Sequence, residues 1–78
     1  MIMETIYVVN FNDEGPVAAY LDKEQAKREL WRSYMTDYVP NFNETDRETY
    51  IKEDRETFER ADYIVDIGWI TEVPLITE

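Results

Sequence analysis

Tyr63-Ile64-Val65-Asp66-Ile67-Gly68-Trp69-Ile70-Thr71-Glu72-Val73 is the stretch whose reading decides the fold. It is rich in β-branched and aromatic residues, and it alternates. Tyr63, Val65, Ile67, Trp69 and Val73 fall on one face at a period of two, and Ile64, Asp66, Gly68, Ile70 and Glu72 on the other. The pattern predicts one long strand. Its odd-numbered face, nearly all apolar, is expected to meet the helices. The mixed face is expected to meet water, as in an antiparallel sheet solvated on one side. Pro74 is expected to weaken pairing beyond that point.

Working back along the chain, a second helix is expected from about Asp46 to Ala61. Thr45-x-x-Glu48 forms a capping-box pattern, with Asn43 as an alternative cap. The apolar stripe of this helix is thin (Tyr50, Ile51, Phe58, Ala61) and has Arg47 and Asp54 within its arc, so it should be half-exposed. Val39-Pro40-Asn41 marks the end of a first helix, because a residue before proline avoids the α region. That helix should begin near Lys23, with Asp22 as N-cap and Gln25 three residues on, and run to about Tyr38. Ala26, Leu30, Tyr34 and Tyr38 form one stripe, which Trp31 and Met35 widen to about 180° of arc, more than one layer requires. The helix must therefore touch two layers or present a flank to a partner.

Nearer the N-terminus, Ile6-Tyr7-Val8-Val9 reads as a strand extending to Phe11, and Asn12-Asp13-Glu14-Gly15 as a turn. Pro16 opens a second strand over Val17–Leu21 and suits a sheet edge. The predicted fold class is α+β over one domain, residues 1–78: a three-stranded, mainly antiparallel sheet with two helices on one face, in the order β-β-α-α-β. The last strand is expected beside the first, which makes the first strand central; its direction stays open.

The 78 residues carry a formal charge of −10, with 18 acids against 8 bases. Such a chain repels phosphate, so direct binding of nucleic acid or of an anionic membrane is not expected. The natural complement is a protein with a basic surface. There is no Cys and no His, so disulfides and thiolate sites are excluded, and a reducing, cytoplasmic setting fits. Stability then rests on apolar packing, to which 11 aromatic rings contribute, including packing across a dimer interface. The N-terminus lacks the pattern of a signal peptide, and no apolar run reaches the ~20 residues of a membrane span. Met1 and Met3 are both available as starts.

No catalytic, cofactor or metal site is expected. The one Ser, Ser33, sits mid-helix with no base beside it in sequence. With Gly15 and Gly68 the only glycines, no phosphate loop can form. Asp66 and Asp54 are the acids to weigh for paired-carboxylate chemistry; the simpler expectation has Asp66 facing solvent and Asp54 paired with Arg47 or a base of the first helix. Asn41, Asn43, Glu44 and Asp46 are rich in oxygen but lack the order of a calcium loop, and turn and capping roles are expected of them. Between Asp37 and Asp62, nine acids face four bases. Glu53, Glu56, Glu59 and Asp62 recur every three residues, a row that spirals around a helix, while Glu48–Lys52, Glu56–Arg60 and Arg55–Glu59 have ion-pair spacing. The residues assigned to partner binding are Trp31, Met35 and Tyr38 as anchors and Glu53, Glu56 and Glu59 as the acidic face.

In its hairpin–helix–strand plan, its acidity and its lack of Cys and His, the chain resembles the small acidic accessory proteins of bacteriophages and prophages, of host-takeover or anti-defence type. The resemblance spans the whole chain in size, charge and layout and assigns no residue a role. It implies a non-enzymatic inhibitor or modulator of a basic, nucleic-acid-handling host protein, acting in the bacterial cytoplasm. The alternative is a self-associating structural or regulatory domain, a homodimer built on the aromatic flank of the first helix. A small carboxylate enzyme is the third class.

Overall fold

The computed structural model describes residues 2–77, so Met1, one of the two starts considered above, lies outside the described residues. Strand β1 (Ile2–Phe11) leads through the Asn12–Glu14 turn into β2 (Gly15–Tyr20). Gly15 closes that turn at φ +77°, in open space. Helix α1 (Lys23–Ser33) follows, then a π-helical turn (Tyr34–Tyr38), a 3₁₀ turn (Val39–Asn41) and helix α2 (Arg47–Ala61). The chain ends in a short β3 (Tyr63–Ile64) and a long β4 (Gly68–Thr77). The fold is α+β, but the sheet has four strands rather than three, in the order β2-β1-β4-β3 and antiparallel throughout.

The extra strand comes from a break in the predicted 63–73 strand. Asp62 and Asp66 both take the left-handed conformation, at φ 60° and 64°, which Asp tolerates better than most residues. Asp62 ends α2 and turns the chain into β3, and Asp66 turns it back into β4. Ile67 N–H donates to the Ile64 carbonyl, closing the turn. Contrary to expectation, pairing does not fade at Pro74: Thr5 lies opposite it, and the ladder runs on to Ile2 and Thr77. β3 pairs only with Trp69 and Gly68, so the far edge of β4 is free at Pro74, where a missing N–H breaks no ladder on that side.

Asp22 caps α1, its carboxylate accepting from Glu24 N–H at 3.0 Å. The first-turn Glu24 and last-turn Arg32 suit the helix dipole. The inward residues Ala26, Leu30, Tyr34 and Tyr38 are spaced by four, which drifts by about 40° per step in an α-helix. Widening to a π turn at Tyr34–Tyr38 offsets that drift and returns Tyr38 to the core side. At the start of α2 the Thr45–Glu48 box does not form; Asp46 occupies the cap position without a side-chain bond. Asn43 closes the preceding turn instead, its side-chain oxygen accepting from Thr45 N–H.

The core consists of Val9, Phe11, Ala26, Leu30, Tyr34, Val39, Phe58 and Ile64. Ala26, Leu30 and Tyr34 are fully buried; burying a side chain such as Leu30 contributes about 2–3 kcal/mol. α1 lies on the sheet above β1, and α2 joins the core mainly through Phe58, with Ile51 packed at its margin.

Candidate functional site

The broad apolar arc of α1 is absorbed by two layers. Its inner stripe meets the sheet, and Trp31 meets α2, where its ring stacks on Phe58 at 5.7 Å and lies 4.8 Å from Tyr34. The Arg55 guanidinium covers the indole at 4.9 Å. Trp31 is thus a helix–helix contact before it is anything else. Met35 remains exposed. Tyr38 stacks on Phe11 at 6.1 Å, and its hydroxyl reaches Asp13 at 3.3 Å. Burial and the nearby carboxylates of Asp13, Glu14 and Asp37 raise its pKa. These three positions do not form one anchor patch: Tyr38 lines a cleft with Asp13, Glu14, Ser33, Asp37 and Asn41 beside the hairpin turn, while Trp31 lies between the helices.

Glu53, Glu56 and Glu59 are exposed on α2. Of the three ion pairs expected from spacing, only Arg55–Glu59 forms, at 2.8 Å. Among the described residues Glu53 and Glu56 have no cation partner, and the acids in ion pairs are Glu29, Glu59, Asp62 and Glu72. The helical side is therefore less neutralised than the spacing implied, because Glu48–Lys52 and Glu56–Arg60 do not close. Arg55 also covers Trp31, and Arg47 donates to the carbonyls of Pro40 and Phe42.

Asp54 pairs with neither Arg47 nor a base of α1. It accepts a hydrogen bond from the Tyr34 hydroxyl at 2.5 Å. Burial, then this bond, pushes the Tyr34 pKa well above the usual tyrosine range. Asp62 gathers Lys23 at 2.8 Å and Lys27 at 3.1 Å. Burial alone would raise its pKa, but the two ammonium groups outweigh it and hold the carboxyl below the usual range. Asp66 is exposed at its turn, as expected. In the oxygen-rich loop, Asn41 donates to the Asp37 carbonyl and Asn43 accepts as described, which are turn roles. Among the described residues no three acids gather closely enough to hold a metal ion, and no helix is long and apolar enough to cross a membrane.

The sequence reading missed one surface. Cross-strand pairing places Ile64, Gly68 and Ile70 on the same face as Val9 and Phe11, toward the helices. Tyr63, Trp69 and Val73 therefore point away from them, which reverses the assignment made from alternation. The reason is Gly68: a Cβ there would lie 2.4 Å from the Asn10 carbonyl oxygen and 3.1 Å from Leu30 Cδ1. The Asn10 carbonyl of the neighbouring strand leaves no room for a Cβ, and Leu30 of α1 seats against the bare glycine backbone at that point of the inner face. The outer face of the sheet carries Ile6, Val8, Tyr63, Trp69, Val73 and Leu75, and among the described residues no helix covers it. Trp69 and Tyr63 are each 41% exposed and Leu75 43%.

Comparison of the chain with protein-family models, with curated proteins and with solved structures finds no match.

Proposed function

We propose that this chain is a non-enzymatic binding protein of phage type that inhibits or modulates a basic, nucleic-acid-handling protein of a bacterial host, in the cytoplasm, through the acidic surface of its helices. The supporting observation is the state of the acids on α2. Among the described residues Glu53 and Glu56 stand exposed without a cation partner, and Glu59 has only Arg55. Around them the chain carries a net −10, a field that steers a basic surface toward it and raises the on-rate. Trp31 contributes by setting α2 against α1, which holds the acids in place. Met35, exposed on the π turn that follows α1, is the apolar anchor residue that stays free for contact.

The test begins with capture from bacterial lysate on immobilised chain, identification of the captured protein and its purification. Affinity is then measured across a salt series. Binding that weakens steeply with salt, and at least tenfold in the triple variant Glu53→Lys, Glu56→Lys, Glu59→Lys, is expected. A partner held equally well at high salt, or by the triple variant, overturns the proposal.

A further inference from the structure

We propose that the outer face of the sheet is a self-association surface, on which a second copy of this chain packs sheet against sheet about a two-fold axis. The surface is built by β1 and β4, ten residues each, with β2 and β3 at the margins. Its exposed apolar side chains are those of Tyr63, Trp69 and Leu75, with Ile6, Val8 and Val73 half-buried between them.

Three observations select a second copy over a partner of another chemistry. The first is charge. In a chain of net −10, the charged residue that strand pairing places on this face is Glu4, at its outer end opposite Leu75. A basic partner has little here to pair with, whereas an identical neutral face matches it. The second is polar satisfaction. Asn10, which with Thr71 makes the polar centre of the face, is only 7% exposed. Its amide donates to Thr71 Oγ1 at 2.9 Å and to the carbonyls of Val8 and Trp69 at 3.1 and 3.4 Å. Those donors are used within one copy and ask nothing of a partner. The third is area. A ribbon of two ten-residue strands with its flanking strands spans on the order of 500 Å². A symmetric pair then buries roughly 1,000 Å² in total, the lower bound for a specific interface. Two sheets stacked about 10 Å apart are an ordinary sandwich core, and a two-fold pairing closes without leaving a further face open.

This geometry also accounts for the far end of the ribbon. Residues 2–5 and 74–77 pair with each other beyond the reach of β2 and β3. A bare two-stranded ribbon is marginal in water; a second sheet laid across it gives Leu75 a partner layer.

Self-association of this kind differs from the proposed partner binding in its response to salt. Two chains of like charge meet through neutral faces, so added salt screens their repulsion and tightens the pair. Binding of a basic protein to the helices weakens with salt. Either reading can therefore fail alone.

The experiment is sedimentation equilibrium of the full chain across concentration, at low and high salt. The expected result is twice the 9.4 kDa monomer mass, with association at least as tight at high salt. Trp69→Ser should weaken association at least tenfold. Leu75→Lys, on an exposed site outside the core, should do the same while leaving the far-ultraviolet circular dichroism unchanged, which guards against a variant that only misfolds. Met35→Lys, on the helical side, should leave association unaltered. A chain that stays monomeric near millimolar concentration, where even a Kd of about 1 mM would register, overturns the proposal and leaves the face to a partner of different sequence. A dimer that survives Leu75→Lys and Trp69→Ser, or that Met35→Lys dissociates, overturns it equally.

Discussion

Asp62 ends α2 in the left-handed region and draws Lys23 and Lys27 onto one carboxylate. Its pKa is lowered in the folded chain, so its charge stabilises the fold fully above the ordinary aspartate pKa of about 3.9 and loses that effect as pH falls from there through the folded value. Asp62→Asn keeps the turn and removes the charge. It is expected to destabilise by about 1 kcal/mol or less at neutral pH, because the group is partly solvated. Urea melts should show variant and parent converging in acid. Tyr34 has the opposite sign. Its pKa is raised, so its contribution is complete below about pH 10 and is lost as pH rises toward the folded value. Tyr34→Phe should cost about 1–2 kcal/mol at neutral pH, since Asp54 loses its donor. The decline in stability above pH 10 should also become shallower. The two glycines separate by mechanism. Gly68→Ala pushes a methyl against the Asn10 carbonyl and should cost about 2–3 kcal/mol. Gly15→Ala meets open space but strains a positive φ and should cost about 1 kcal/mol. Thermal melts of both variants check the order.

At the scale of elements, α1 is the piece that organises the molecule. Its inner stripe sits on the sheet, and Trp31 holds α2, which otherwise reaches the core through little more than Phe58. Trp31→Ala is therefore expected to lower stability by about 2–3 kcal/mol. Any loss of partner binding in that variant should track unfolding, and should recover at temperatures where the variant is folded. Met35→Lys should change stability by no more than about 0.5 kcal/mol. The π turn explains how a four-residue spacing, which a plain α-helix would carry off the core, still delivers Tyr34 and Tyr38 inward.

At the scale of the whole molecule, the two sides differ in kind. The helical side is acidic and largely unpaired, and the open side of the sheet is apolar and nearly uncharged. Packing that open side against a second copy links folding to association, so the thermal midpoint should rise with chain concentration and with salt. Calorimetry over a hundredfold concentration range checks this; a concentration-independent midpoint would show folding uncoupled from assembly.

Much of this was legible from residues alone. The turn at Asn12–Gly15, the cap at Asp22, the stripe of α1 and the proline that suits β2 to an edge all follow from local chemistry, which acts over a few residues and is written in them; the pairing of first and last strands was read from element order. Alternation also separated Tyr63, Trp69 and Val73 from Ile64, Gly68 and Ile70, but misplaced Ile67, which packs against the core from the turn. It did not tell which face meets the helices, because both hold large apolar groups. Strand pairing decides that, by setting Gly68 beside Phe11 and against the Asn10 carbonyl, and α1 then seats Leu30 on the glycine. The break at Asp66 escaped for a related reason: Asp tolerates the left-handed region without requiring it, and the core position of Ile64 selects it. The partner of Asp54 was likewise settled by tertiary neighbours, as Arg47 turned to two backbone carbonyls and the Tyr34 hydroxyl reached the carboxylate. Charge, composition and element types belonged to the sequence. The faces that stay open belonged to the packing.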